Sequence, residues 1–218
     1  LFRSDAINSN KAIVKALRNG IEKSGLPKDA IQLVSDTDRE VAQKMMRLNE
    51  YIDVLIPRGG AGLIQSVVKN ATVPVIETGT GNCHIYVDES CDFDMAVKIA
   101  VNAKASRPSV CNAAEKLLVN EKIAKDFLPI AVKVLRENGV VLRGDEASQA
   151  IINDIEKASE EDWSKEYLDY IMAVKIVKDV DEAINHINKY GTGHSEAIIT
   201  ESYKNSQKFL QRVDAAAV

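Results

Sequence analysis

The stretch Tyr51-Ile52-Asp53-Val54-Leu55-Ile56-Pro57-Arg58-Gly59-Gly60-Ala61-Gly62-Leu63-Ile64 reads as a strand, a glycine turn and the start of a helix in direct succession. Residues 51–57 are nearly continuous in apolar side chains, the pattern of a parallel strand covered on both faces. Leu63, Ile64, Val67 and Val68 then recur at helical spacing. A glycine turn between strand and helix leaves backbone N–H groups facing outward with the positive end of the helix dipole behind them, which suits an anion such as a phosphate. The glycine run by itself is equally compatible with a plain tight turn.

Strand and helix patterns continue to alternate on both sides of this stretch. Ser4 is placed to cap a helix to about Ser24 bearing Ile7, Ile13, Val14, Leu17 and Ile21 on one stripe, and Leu26-Pro27 ends it. Ile31 to Val34 reads as a short strand, and Thr37 with Glu40 as a capping box for a helix carrying Val41, Met45, Met46 and Leu48. Downstream, strands are expected at 74–78, 84–88, 116–119, 140–143, 171–177 and 196–199. Helices are expected at 93–105, 121–138, 180–189 and 202–212, and a further acidic helical stretch from Glu146 to Glu161. Such alternation predicts an α/β fold around a parallel sheet. The Gly79/Gly81 pair marks a boundary between a first domain, 1–79, and a second, 80–218.

Bulk properties narrow the function. With 218 residues, 45% hydrophobic and 28% charged, the chain is long enough for a substantial core. A net charge of -4 gives no basic face for nucleic acid, so small-molecule chemistry is favoured. Cys83, Cys91 and Cys111 cannot all pair and lack zinc-site spacing, so no metal is expected and the thiols read as reduced in a cytoplasm. No run approaches 18 apolar residues, hence no membrane span is expected. The chain opens at Leu1 without a methionine and closes on Ala215-Ala216-Ala217-Val218, which reads as an unfinished strand, so an internal piece of a longer protein is expected.

Cys111, in Arg107-Pro108-Ser109-Val110-Cys111-Asn112, lies between a helix and a strand. Alone, a free cysteine is more often a small buried hydrophobe. Its surroundings change that reading. The runs Leu55 to Ile64, Pro74-Val75-Ile76-Glu77-Thr78-Gly79-Thr80-Gly81-Asn82-Cys83-His84-Ile85-Tyr86-Val87-Asp88, Arg107 to Asn112 and Tyr190-Gly191-Thr192-Gly193-His194-Ser195 together closely resemble the gamma-glutamyl phosphate reductase family of the aldehyde dehydrogenase superfamily. The resemblance covers essentially the whole chain.

It implies a Rossmann-like parallel sheet, forming part of a cofactor domain, followed by an α/β catalytic domain of aldehyde dehydrogenase type that stops short at its C-terminal end. The implied activity is NADPH-dependent reduction of L-glutamyl 5-phosphate to L-glutamate 5-semialdehyde with release of phosphate, a step of proline and amino-acid biosynthesis. Cys111 matches the nucleophile, and its thiolate would need stabilisation from Arg107 or an adjacent helix N-terminus. The Cys111 N–H is a candidate oxyanion donor. Gly59 and Gly60 match the pyrophosphate-facing turn and Glu166 the glutamate that accepts from the nicotinamide ribose. Arg3 and Ser4 match the adenosine end, although the family's glycine pair is missing before that serine. Asn112 and His194, with Arg107, are candidates for the substrate.

Glu77 stands where hydrolytic relatives activate water, a step that would waste the acyl group here, so it reads as structural or modulatory. Cys83, leading into a strand, Cys91, in a polar turn, His84, pointing off a strand, and His186, on a helix surface, all read as structural. A homo-oligomer is expected for the full-length enzyme. An aldehyde dehydrogenase acting on another semialdehyde, and a non-catalytic piece of a bifunctional synthase carrying a glutamate kinase, are the alternatives.

Overall fold

The computed structural model describes residues 6–77 and 79–218 and divides the chain into two compact units, Leu1–Thr78 and Gly79–Val218. In the first unit, helix α1 (Ile7–Lys23) begins at Ala6 without a side-chain cap, so the expected cap at Ser4 falls outside the described residues. Helix α2 (Arg39–Met45) is capped by Asp38, whose side chain accepts from the Glu40 N–H. That replaces the expected Thr37 box, because the aspartate stands one residue nearer to the first helical N–H groups. Residues 31–34 form no strand.

The segment 51–57 is also corrected. It contributes a single parallel bridge, Leu55 to Val75, in which the Leu55 N–H donates to Pro74 O and the Ile76 N–H to Leu55 O, each at 2.8 Å. Tyr51, Val54 and Ile56 are exposed rather than covered. Helix α3 (Ala61–Asn70) follows at once, with Gly60 at its N-cap.

The second unit holds a six-stranded, all-parallel sheet in the order β4-β3-β5-β2-β1-β6. In chain order the elements are β1 (Cys83–Val87), α4 (Phe93–Ala105), β2 (Ala114–Asn120), α5 (Glu121–Glu137), β3 (Val141–Gly144), α6 (Glu146–Ile151), β4 (Glu156–Lys157), β5 (Ile171–Val177), α7 (Val180–Tyr190), β6 (Glu196–Ile199) and α8 (Tyr203–Arg212). The acidic stretch 146–161 is therefore not one helix: it breaks at Ile152, supplies edge strand β4 and ends in a 3-10 turn, Glu160–Trp163.

Period-2 alternation distributes the strand side chains. Ile85 and Val87 of β1 with Leu117 and Val119 of β2 meet α4 and α5 on one face. Tyr86 and Leu118 meet Ile184, Ile187 and Phe209 of α7 and α8 on the other. Helix α5 docks through Ala124, Phe127, Leu128, Ala131 and Leu135 at helical spacing, and Asn120 caps it by accepting from the Lys122 N–H. Phe127 and Leu128 are fully buried, and each contributes about 2–3 kcal/mol of burial free energy.

Because every strand runs the same way, all strand starts share one edge of the sheet and all strand ends the other. Gly81, Cys111 and His194 precede strands; Asn120 ends one, and Asp88, Asp179 and Thr200 follow others.

Candidate active site

The loop between α4 and β2 carries the cysteine. The Val110 N–H donates to Arg107 O at 3.5 Å and the Ala113 N–H to Val110 O at 3.0 Å, folding residues 107–113 into consecutive turns. Cys111 and Asn112 at their tip are exposed, as is Arg107, whose guanidinium makes no hydrogen bond or ion pair among the described residues. The Cys111 N–H is likewise unengaged among them. No helix begins at Cys111. α4 ends at Ala105, presenting its negative end, and β2 follows, so neither element adjoining the loop brings a helix N-terminus to Cys111. Arg107 is the cation in the loop.

Gly81 fixes this loop from beneath. A Cβ built on it would lie 1.4 Å from Cys111 O and 2.8 Å from Cys111 Cα, so only a residue without a side chain allows the two backbones to approach so closely. The Gly81 N–H in turn donates to Glu166 Oε1 at 2.7 Å. One glycine thus touches both the cysteine loop and Glu166. The other Glu166 oxygen, Oε2, has no hydrogen bond among the described residues and is open to accept from a hydroxyl.

The remaining thiols differ sharply from Cys111. Cys83 is buried and donates through Sγ to Cys111 O at 3.4 Å; burial, reinforced by nearby Glu196, pushes its thiol up to about 12. Burial pushes the half-buried Cys91 thiol up to about 11. His194 is half-buried at the start of β6, its Nδ1 2.8 Å from Ser195 Oγ and its carbonyl accepting from the Ala217 N–H. Gly193 before it takes φ +68, a conformation that favours glycine.

Under the amino edge lies a polar layer that the sequence reading did not find. His84 and His186 are buried, not surface groups: their rings meet edge-on at 5.6 Å, and His186 also packs on Trp163. Burial drives both imidazoles down to about 3, so both are neutral. Glu196 accepts from the His84 N–H at 2.6 Å and lies 3.0 Å from His84 Nδ1. Burial pushes Glu196 up to about 8, so at pH 7 this contact joins a neutral carboxyl to a neutral imidazole and is no ion pair. Asn82 Oδ1, His84 Nε2, His186 Nε2 and Glu196 Oε1 are buried without a hydrogen-bond partner among the described residues.

Three further buried charges lie beside them. Lys104 Nζ donates to Glu115 Oε2 at 2.8 Å, both side chains essentially inaccessible. Lys116 donates to Lys165 O at 2.7 Å, and burial lowers its ammonium to about 8. The signal was present: Lys104 continues the apolar face of Ala96 and Ala100 at i+4 spacing, and Glu115-Lys116 opens a strand otherwise read as core.

On the first unit, Gly60 starts α3 with no side-chain cap, and a Cβ on Gly60 would meet nothing within 4 Å, which leaves room for a ligand at that helix start. Glu77 is exposed. Arg3 lies outside the described residues, as does Ser4. No group of three or more His, Cys, Asp or Glu side chains suited to a metal occurs among the described residues, and no helix is long and apolar enough to cross a membrane.

The aldehyde dehydrogenase family model matches residues 9–150, and the chain belongs to that family. Within it, the chain is 83% identical over 215 residues to the gamma-glutamyl phosphate reductase of Clostridium beijerinckii and 70% identical to that of Clostridium botulinum, covering 99% of this chain and 52% of each relative. The chain thus spans about half the length of the curated relatives it matches. A crystal structure of gamma-glutamyl phosphate reductase from Thermotoga maritima superposes with a TM-score of 0.94 at 57% identity, covering 99% of this chain and 52% of that one. A glyceraldehyde-3-phosphate dehydrogenase from Methanocaldococcus jannaschii, solved with NADP, shares the fold at a TM-score of 0.74 and 17% identity over 99% of this chain and 56% of that one.

Proposed function

We propose that the full-length protein reduces L-glutamyl 5-phosphate to L-glutamate 5-semialdehyde, releasing phosphate, as a cytoplasmic homo-oligomeric enzyme of proline biosynthesis. The observation that carries this reading is the exposed Cys111 seated on Gly81, with Glu166 bound to the same glycine. The 83% identity to a gamma-glutamyl phosphate reductase supports the choice of substrate.

Cys111 Sγ attacks the acyl carbon, the bond from that carbon to the phosphate oxygen breaks, and phosphate leaves with the electron pair, giving a thioester. Arg107 supplies positive charge beside the thiolate and the departing phosphate. The free Cys111 N–H receives the oxygen that turns negative, and Asn112 is placed one residue away to assist. His194 is assigned to the substrate as well. NADPH, when bound, supplies the hydride that reduces the thioester.

Residues of each unit, taken separately, suit part of that cofactor. In the second unit Glu166 keeps one carboxylate oxygen on Gly81 and has the other free for the ribose. In the first unit Gly59 and Gly60 are assigned to the pyrophosphate, at the start of α3. Arg3 and Ser4 are assigned to the adenosine end. Glu77 is left without a catalytic role, since water activation would hydrolyse the thioester. In the full-length enzyme, incubation of Cys111→Ala with acyl phosphate should yield no covalent acyl-enzyme by mass spectrometry; an acyl adduct in that variant overturns the assignment.

A further inference from the structure

We propose that Lys116 and Glu115 are positioning residues: from the strand that follows Cys111 they grip the Lys165–Leu168 segment, so that Glu166 is held on Gly81 in register with the nucleophile loop. The inference rests on the reading that Glu166 receives the dinucleotide ribose.

The geometry is specific. Glu115 and Lys116 are successive residues of β2 at a register shift, where Cys83 pairs with Ala114 and His84 with Lys116 so that Glu115 is the extra residue. Glu115 points with Leu117 toward α4, where Lys104 meets it; Lys116 points with Leu118 toward the other face. Both nevertheless end on the same four residues. Lys116 Nζ donates to Lys165 O at 2.7 Å, and Glu115 Oε1 accepts from the Leu168 N–H at 3.2 Å. The segment therefore crosses the end of the strand and is held from both sides, with Glu166 between the two attachments.

Two costs mark the arrangement as selected for something other than stability. Lys116 is fully buried yet makes no ion pair among the described residues, its ammonium resting on one carbonyl and on the Tyr167 ring at 4.8 Å. Glu115 and Asp162 attract it only from beyond ion-pair distance, and burying a charge without a directly paired acid is unfavourable. Leu168 has φ +56, a left-handed conformation that a leucine adopts only under constraint, and the bond from Glu115 supplies the constraint. Tyr167, whose hydroxyl donates to Asp162 at 2.6 Å, anchors the middle of the segment.

The test is a double-mutant cycle in the full-length enzyme. Lys116→Met removes one attachment. The paired change Lys104→Met with Glu115→Leu removes the acceptor of the Leu168 N–H without leaving a buried lysine unpaired. Each should raise the KM for NADPH about fivefold while kcat stays within about twofold, and Glu166→Ala should raise it about tenfold, the worth of one charge-assisted hydrogen bond. In the Glu166→Ala background neither variant should raise KM further. If Glu166→Ala raises KM but both clamp variants leave it unchanged, or add to it in full, the clamp is overturned while the ribose reading stands. If Glu166→Ala itself leaves KM unchanged, the ribose reading fails and takes the clamp's role with it. Should Lys116→Met not fold, the Lys104→Met/Glu115→Leu pair decides the outcome alone.

Discussion

The two edges of the second unit's sheet are built from similar residues and treat them in opposite ways. At the carboxyl edge every prominent polar side chain is engaged. Asp88, fully buried, accepts from Tyr86, Ser90, Thr200 and Asn205, while Asn120, Asp179 and Ser202 cap α5, α7 and α8. At the amino edge Cys111, Arg107 and Asn112 are exposed, and four buried polar atoms lack partners among the described residues. The contrast follows from topology. In a parallel sheet each strand delivers its chain to a helix N-terminus at the carboxyl edge, and those N-termini need capping oxygens. Open α/β sheets commonly bind ligands at that edge. Here its N-termini are satisfied by the chain itself, and the groups free to meet a substrate stand at the opposite end.

The largest effect expected from this division is at Cys111, the proposed nucleophile. In the full-length enzyme Cys111→Ser should lower kcat by about a thousandfold, with the melting temperature unchanged. Gly81→Ala, which forces the Cys111 backbone aside, should cost about a hundredfold in kcat/KM, and rapid turnover in that variant would contradict the close approach. At the carboxyl edge the readouts reverse. Asp88→Ala orphans four donors and should lower unfolding free energy by about 3 kcal/mol in denaturant titrations, while folded enzyme turns over as before.

A smaller effect separates the edges by pH. Glu196 holds its proton up to about 8 in the folded chain against 4.5 as its ordinary value, so the stability it contributes is complete below pH 4.5 and is lost as the pH rises through 8. Lys116, His194 and Cys83 are the ionisable groups facing it besides His84. The two histidines, lowered from 6.5 to about 3, act in the opposite direction and only below 6.5, and Lys116, at about 8, begins to act only above that value. Between pH 6.5 and 8 the wild type should therefore lose about 1–2 kcal/mol, and Glu196→Gln should show a flatter profile by chemical denaturation. Equal slopes in the two proteins would exclude Glu196 as the titrating group.

Most of the second unit was legible in the sequence. Strands β1, β5 and β6 and helices α4, α5, α7 and α8 fall within a residue or two of their expected bounds, because the strands are short apolar runs and each helix has a capping side chain at its start. What failed shares one cause. Ile31 to Val34 and residues 51–57 have strand composition, but a strand is a pairing, and composition does not say whether a neighbour is within reach. The stretch 146–161 has helical composition, yet Gly144 and Arg143 draw its middle into a two-residue ladder at Glu156 and Lys157. In the candidate site, the family resemblance supplied the proposals for Cys111 and Glu166, whereas the burial of Lys104, Glu115, Lys116, His84 and Glu196 was missed. A charge inside an otherwise apolar element carries no sign in the sequence of the distant group that meets it, as Lys104 meets Glu115.

The unequal setting of the three thiols has a practical corollary. Cys83 is shielded and Cys91 half-shielded, and burial keeps both protonated through neutral pH, whereas Cys111 stands in the open. A soft electrophile offered at pH 7 should thus attach one label per chain, so a spectroscopic reporter can be installed at the catalytic loop without engineering away any other cysteine.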